Sequence, residues 1–349
     1  MPNAEVFEIP ISDGGEGLLE TILSNTEGRL VSIEVMNPVS SPIKATYGVL
    51  KDNKTAIIEM AKASGLELIT EEEKNPLITT TYGTGQLIKD ALDKGCTKII
   101  IGIGGSATND GGVGLVKALG GKFLNKKGEE LTEGGGTLDQ LNRIDISNLD
   151  KRISDCEILV ACDVSNPLTG PNGASKVYGK QKGGTDRDLE FLDKNLSHYA
   201  AIIKRDLGLD IAEVSGSGAA GGTGAALMTF LKADLVNGIE LILKTIEIEK
   251  YIEKADLVLT GEGKIDEQTL NGKTIMGIAA MAKRHNVPVI VITGKIGEKI
   301  EGIYKMGVCG IYSIVNQPMK LSEAVSGAAS LIEDCTMNIM RTIQTFKTN

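Results

Sequence analysis

The strongest constraint on this chain is a repeated pattern: short apolar runs that stop at glycine and acid. Lys98-Ile99-Ile100-Ile101-Gly102-Ile103 leads into Gly104-Gly105-Ser106-Ala107-Thr108-Asn109-Asp110-Gly111-Gly112. The run over 157–162 ends at Asp163, and the run over 255–260 ends at Gly261-Glu262-Gly263-Lys264-Ile265-Asp266. The run over 287–292 ends at Thr293-Gly294-Lys295. Apolar runs without alternation are strands buried on both faces. Segments with apolar residues at helical spacing separate them, which predicts βαβ units and a parallel sheet. In such sheets ligands bind beyond the carboxyl ends of the strands, and there the glycines collect.

The spacing predicts helices over 18–24, 86–94, 114–119, 189–207, 223–231 and 275–285, and one long helix over 321–346. Residues 6–10 read as a short strand and 310–315 as another. Between residues 30 and 60 the pattern changes. Residues 31–35 alternate, and 44–50 and 56–60 flank Lys51-Asp52-Asn53-Lys54, which reads as an antiparallel hairpin. The expected fold is therefore α/β with two domains. Residues 1–28 and 250–349 form a discontinuous, Rossmann-like parallel-sheet domain. Residues 29–249 form an inserted α/β domain with an antiparallel or mixed portion.

Composition narrows the function. Aromatic residues are 3% with no Trp, and the formal net charge is -9. Single-strand nucleic-acid binding needs stacking platforms and a basic groove, so nucleic acid is excluded as a partner. Apolar runs far short of the ~18 residues that span a bilayer exclude a membrane partner. The five cysteines form no C-x-x-C pair, which argues against a disulfide framework or thiolate metal site and for a reducing, cytoplasmic location. The two histidines sit in polar helical contexts, so catalysis is not expected to rest on histidine.

Two stretches match dinucleotide fingerprints by letter: Gly216 to Gly221 as G-x-G-x-x-G and Gly102 to Ala107 as G-x-G-x-x-A. The first lacks a strand before it and the second lacks a helix start after it, so a dinucleotide-linked oxidoreductase stays a lesser alternative. Backbone N–H groups of glycine loops bind phosphate without net positive charge. Neighbouring acids would repel bare phosphate unless Mg2+, which takes carboxylate and phosphate oxygens together, sits between them. Glycine loops with Asp and Glu at several strand ends therefore favour Mg2+–nucleotide chemistry. Asp163 and Asp266, each just past a buried strand, are the leading acids for phosphoryl transfer, with Asp13 and Asp110 next. Lys182 and Lys264 are cationic candidates, with a solvated surface position expected for each. Lys273, in Gly272-Lys273-Thr274, could pair with phosphate as a point charge.

In their order along the chain these motifs resemble the bacterial type I class of the glycerate kinase family. The resemblance rests on Asp13-Gly14-Gly15-Glu16-Gly17, Thr79-Thr80-Thr81-Tyr82-Gly83-Thr84-Gly85, the 102–112 loop, Ala161-Cys162-Asp163-Val164-Ser165-Asn166-Pro167-Leu168, Tyr178-Gly179-Lys180-Gln181-Lys182-Gly183, Gly218-Ala219-Ala220-Gly221-Gly222, and the 260–273 stretch. It implies ATP-dependent phosphorylation of D-glycerate to a 2- or 3-phosphoglycerate, with Mg2+, in a cleft between two α/β domains. Asp163 would take the substrate's hydroxyl proton, and Asp266 and Glu262 would hold Mg2+. Gly104, Gly105, Gly218, Gly221 and Gly222 would offer N–H groups to anionic oxygens. Thr80, Thr81, Ser106 and Lys182 would meet the glycerate carboxylate. Asp13, Gly14, Gly15, Glu16, Asn109, Asp110, Asn166 and Lys273 complete the expected binding residues. A homo-oligomer stays open. The family pattern carries a strand and helix ahead of Val6, ending in an Asp-Ser-Phe-Lys-Gly-like loop, which this sequence does not show. Either the start codon is placed late or the protein is truly shortened; if it is shortened, catalysis is expected to be impaired, with a glycerate- and ATP-binding protein as the alternative outcome.

Overall fold

The computed structural model describes residues 4–12, 17–270 and 274–347. The chain divides into two compact units, one of residues 14–241 and one of 1–13 with 242–349.

The larger unit begins with α1 (Leu18–Asn25), entered through Gly17 in the left-handed region. β1 (Gly28–Met36) and β2 (Pro42–Leu50) pair antiparallel over their full length, and β3 (Thr55–Glu59) continues the meander. The expected hairpin turn is closed by the Asp52 carboxylate, which accepts from the N–H groups of Lys54 and Thr55. α2 (Ala61–Ser64) and α3 (Tyr82–Asp93) lead to β4 (Lys98–Gly102). Then follow α4 (Val113–Ala118), the ribbon β5 (Lys122–Leu124) with β6 (Arg143–Asp145), and β7 (Glu157–Ala161). α5 (Ala174–Tyr178), α6 (Asp186–Leu207), α7 (Ala219–Leu231) and β8 (Asp234–Val236) follow, and α8 (Gly238–Thr245) begins in this unit and runs past its last residue, 241. α6 starts on a reciprocal cap between Thr185 and Asp188, which satisfies first-turn N–H groups.

The six-stranded sheet runs β1-β2-β3-β4-β7-β8, and its last four strands are parallel. Ile99, Ile100 and Ile101 are fully buried, as strands covered on both faces must be. Phe123 packs against Tyr199 (ring centroids 6.2 Å) and Phe230 (5.8 Å) in the core of this unit.

The smaller unit contains α9 (Glu249–Ile252), β9 (Val258–Ile265), α10 (Thr274–Arg284), β10 (Val289–Ile296), α11 (Glu301–Lys305), β11 (Val308–Ser313), α12 (Leu321–Ser326) and α13 (Ala328–Lys347). Its strands are parallel in the order β11-β10-β9. The α/β class with a mixed sheet and a parallel sheet is the one the sequence indicates.

Several local expectations are corrected. Residues 6–10 are not a strand, because a strand needs a backbone partner and none of the described strands pairs with them. β9 does not stop at Thr260, and β10 does not stop at Ile292. Both continue through their glycines, held by parallel pairing as far as Ile265 with Ile296. Glu262 is therefore a strand residue opposite Thr293. The expected long C-terminal helix is two helices, divided at Gly327. The short strands β5, β6 and β8 lie outside the expected set. Among the described residues no helix is long and apolar enough to cross a membrane.

Candidate active site

In the larger unit, Glu59, Gly102, Ala161 and Val236 stand in one row at the carboxyl ends of β3, β4, β7 and β8. The segments that leave this row carry the candidate chemistry. Asp163 follows β7 and is exposed; its Oδ1 accepts from the Gly238 N–H at 2.9 Å, the first residue of α8. A carboxylate at a helix start is favoured by the helix dipole. Asn166 is half-buried and internally bonded: Tyr178 OH donates to its Oδ1 (2.8 Å), and its Nδ2 donates to the Asn172 carbonyl (2.8 Å).

Beyond β4, Gly104 is exposed and Gly105 half-buried, whereas Ser106 to Asp110 turn inward. Asp110 is fully buried. Its Oδ2 accepts from Thr81 N (2.9 Å), Thr81 Oγ1 (2.8 Å) and Gly114 N (3.2 Å), and its Oδ1 from Gly112 N (3.0 Å). Thr81 Oγ1 in turn accepts from Leu115 N. One carboxylate thus ties together the starts of α3 and α4. Burial pushes the Asp110 carboxyl above the usual carboxylate range, opposed by the hydrogen bonds from Thr81 and Gly112. Thr80 Oγ1 donates to Glu133 Oε2 (2.6 Å) and accepts from Tyr82 N (3.1 Å). Thr80 and Thr81 are completely buried, so their hydroxyls brace the fold.

The second glycine stretch packs on the first. Ala220, Gly221 and Gly222 are successively left-handed, and the Gly221 carbonyl accepts from the Gly111 N–H at 3.0 Å. The Gly218 N–H donates to the Asn166 carbonyl, and that of Gly222 to the Gly218 carbonyl. These two N–H groups, expected to face anionic oxygens, are engaged inside the unit. No strand precedes α7 in 208–218, so this stretch is not a dinucleotide turn. Gly221 has φ +68°, and a Cβ there would lie 1.9 Å from the Thr108 carbonyl oxygen. Gly221→Ala is expected to lose about 2–3 kcal/mol, seen as a lower urea midpoint.

Lys182 is not at the surface as expected. It is 1% exposed, and its Nζ donates to Ser106 Oγ (2.9 Å) and the Thr108 carbonyl (2.7 Å). Lys180, two residues away, is exposed and paired with Asp186. Burial lowers the Lys182 ammonium from its ordinary 10.5 to about 7, with Asp110 opposing. The folded protein therefore binds fewer protons here than the unfolded chain between about pH 7 and 10.5. This group's contribution to stability rises with pH across that window and is lost as pH falls towards 7. The unfolding midpoint of the wild type should rise more from pH 7 to 9 than that of Lys182→Met. Equal rises would contradict this.

Glu59 was not singled out in the sequence. It is 3% exposed, and its Oε1 accepts from the Leu19 N–H (3.1 Å). Burial raises its carboxyl. It thereby holds the first turn of α1, the helix that follows the 13–17 motif. A carboxylate closing an otherwise apolar strand was the available signal.

In the smaller unit, Thr269 is buried and joins two carboxylate residues. Its Oγ1 donates to Glu262 Oε1 (2.7 Å) and accepts from Asp266 N (3.2 Å). Lys264 Nζ lies 2.5 Å from Asp266 Oδ2. Among the described residues no group of three or more His, Cys, Asp or Glu could hold a metal. Two carboxylates suit Mg2+, which takes one or two protein carboxylates and completes its shell with water and phosphate. Asp13, Gly14, Gly15, Glu16 and Lys273 lie outside the described residues.

Carboxylates and a glycine loop at the ends of parallel strands define an α/β enzyme of the strand-end type. The glycerate kinase family profile matches residues 1–344. A glycerate kinase of Bacillus subtilis strain 168 is 47% identical over 347 residues, covering 99% of this chain and 91% of that protein. A glycerate 2-kinase of Escherichia coli K12 is 47% identical over 342 residues, covering 98% and 90%. A solved structure from Salmonella typhimurium LT2, provisionally named glycerate kinase 2, superposes with a TM-score of 0.89 at 45% identity. It covers 100% of this chain and 91% of that one. The chain belongs to the glycerate kinase family.

Proposed function

We propose that the protein transfers the γ-phosphoryl group of ATP to D-glycerate, giving 2-phosphoglycerate. Family membership supports the kinase reading, and the E. coli relative named glycerate 2-kinase supports the 2-position. The observation that carries the chemistry is Asp163: an exposed carboxylate at the end of a parallel strand, held by a helix-start N–H. Asp163 accepts the proton of the glycerate hydroxyl as the oxygen attacks the γ-phosphorus; the bond from phosphorus to the β-phosphate oxygen breaks and ADP leaves. Gly104 and Gly105 offer N–H groups to anionic oxygens at the same edge. Glu262 and Asp266 would hold Mg2+, which when bound neutralises charge on the phosphate oxygens. Asp13, Gly14, Gly15, Glu16 and Lys273 belong to the nucleotide- and substrate-binding set on their sequence motifs. Asp110, Asn166, Thr80, Thr81, Gly218, Gly221 and Gly222 shape the site through the bonds described above, and Asn109 through its Nδ2, which donates to Ser175 Oγ at 2.9 Å.

A coupled assay of ADP release tests this. ADP should appear with ATP, Mg2+ and D-glycerate together, and only at background when glycerate or Mg2+ is omitted. Binding of both substrates without ADP release would defeat the reading, as would NADH binding with no kinase activity.

A further inference from the structure

The 104–109 loop holds polar capacity that the fold leaves unused. Ser106 is 6% exposed, and its Oγ receives one hydrogen bond, from Lys182 Nζ at 2.9 Å. A charged lysine donates and cannot accept, so the Ser106 hydrogen must find its acceptor elsewhere. No described residue accepts it. Two residues on, Thr108 Oγ1 is also buried without a partner, and so is Asn109 Oδ1. Buried polar groups are nearly always paired. A stretch with several unpaired ones, beside the exposed Gly104, has the chemistry of a ligand seat.

We propose that Lys182 is a positioning residue for substrate binding, which fixes Ser106 Oγ as an acceptor on one side and so directs the Ser106 O–H, as a donor, at an anionic oxygen of glycerate. The proposal rests on the glycerate kinase reading and adds that Lys182 acts through Ser106 without touching substrate. Lys182 also grips the Thr108 carbonyl, so both ends of the 106–108 segment hang on one ammonium. Neutral Lys182 has a lone pair that can take the Ser106 hydrogen, which removes the donor from the substrate. Asp110 is the charged group whose field reaches Lys182. Of the other charges on adjoining segments, Lys180 pairs with Asp186, Lys74 with Glu71 and Asp188 with Thr185, and Lys176 and Arg187 are exposed to solvent.

The test is KM for D-glycerate and kcat, measured from pH 6 to 9 in wild type, Ser106→Ala, Lys182→Met and the double variant. Losing a hydrogen bond to a charged group should raise KM about tenfold in Ser106→Ala with kcat little changed. In wild type KM should rise with pH above about 7, following Lys182. In Ser106→Ala that rise should vanish, and Lys182→Met should add nothing in the Ser106→Ala background. An active wild type with unchanged KM in Ser106→Ala, or with additive effects in the double variant, overturns the proposal. If Lys182→Met does not fold, Ser106→Ala decides alone: a flat KM profile supports the proposal and a wild-type profile overturns it. A wild type without glycerate-dependent turnover at any pH overturns the kinase reading instead.

Discussion

Asp163→Asn should lower glycerate-dependent kcat by about 100- to 10,000-fold, the range that one positioned general base contributes. The substitution isolates the chemistry. The amide oxygen of Asn can still accept the Gly238 N–H that Asp163 Oδ1 now holds, so the start of α8 keeps its partner. What is lost is the ability to take a proton. The urea midpoint should therefore match that of wild type, and KM for ATP should change little. Near-normal turnover in this variant would remove Asp163 from the mechanism.

Asp110→Ala should have the largest effect on stability, a loss of about 4 kcal/mol or more. Removing the carboxylate leaves the Thr81 N–H, Thr81 O–H, Gly112 N–H and Gly114 N–H without their acceptor in a fully buried place. Each unpaired buried donor costs about 1–3 kcal/mol, and the contributions do not simply add. Asp110→Asn should recover only part of the loss, because its NH2 group would face donors on one side. Urea titration of the three proteins checks the order: wild type most stable, then Asn, then Ala. An Ala variant as stable as wild type would mean the clamp between α3 and α4 is incidental.

The two variants show what was legible in the sequence. β4 and β7 were legible because each is a short apolar run that ends where glycine or Asp begins, and in both the strand does stop there. The turn at 51–54 was legible because Asp52 lies where its carboxylate can cap the following N–H groups. The carboxyl-end location of Asp163 followed from those same runs. Other features depended on distant partners. Gly261 reads as a loop residue, yet parallel pairing with β10 holds it in a strand, and glycine suits the place because a Cβ would lie 2.3 Å from the Ile292 carbonyl oxygen. Thr80 and Thr81 resembled substrate hydroxyls, but Glu133 and Asp110, far along the chain, engage them. Lys182 stands in a charged, glycine-rich stretch that reads as surface. The short turn Lys180–Lys182 sends the first lysine to Asp186 and the second into the core, which no periodicity could reveal.

The central claim is that this protein moves a phosphoryl group from ATP to a hydroxyl of D-glycerate. The most direct measurement is phosphorus NMR of the protein with ATP, Mg2+ and D-glycerate. A phosphomonoester resonance should grow in step with ADP, split into a doublet by the single proton on carbon 2. A triplet, from the two protons on carbon 3, would contradict the position assigned, and ADP appearing with inorganic phosphate alone would contradict the transfer itself.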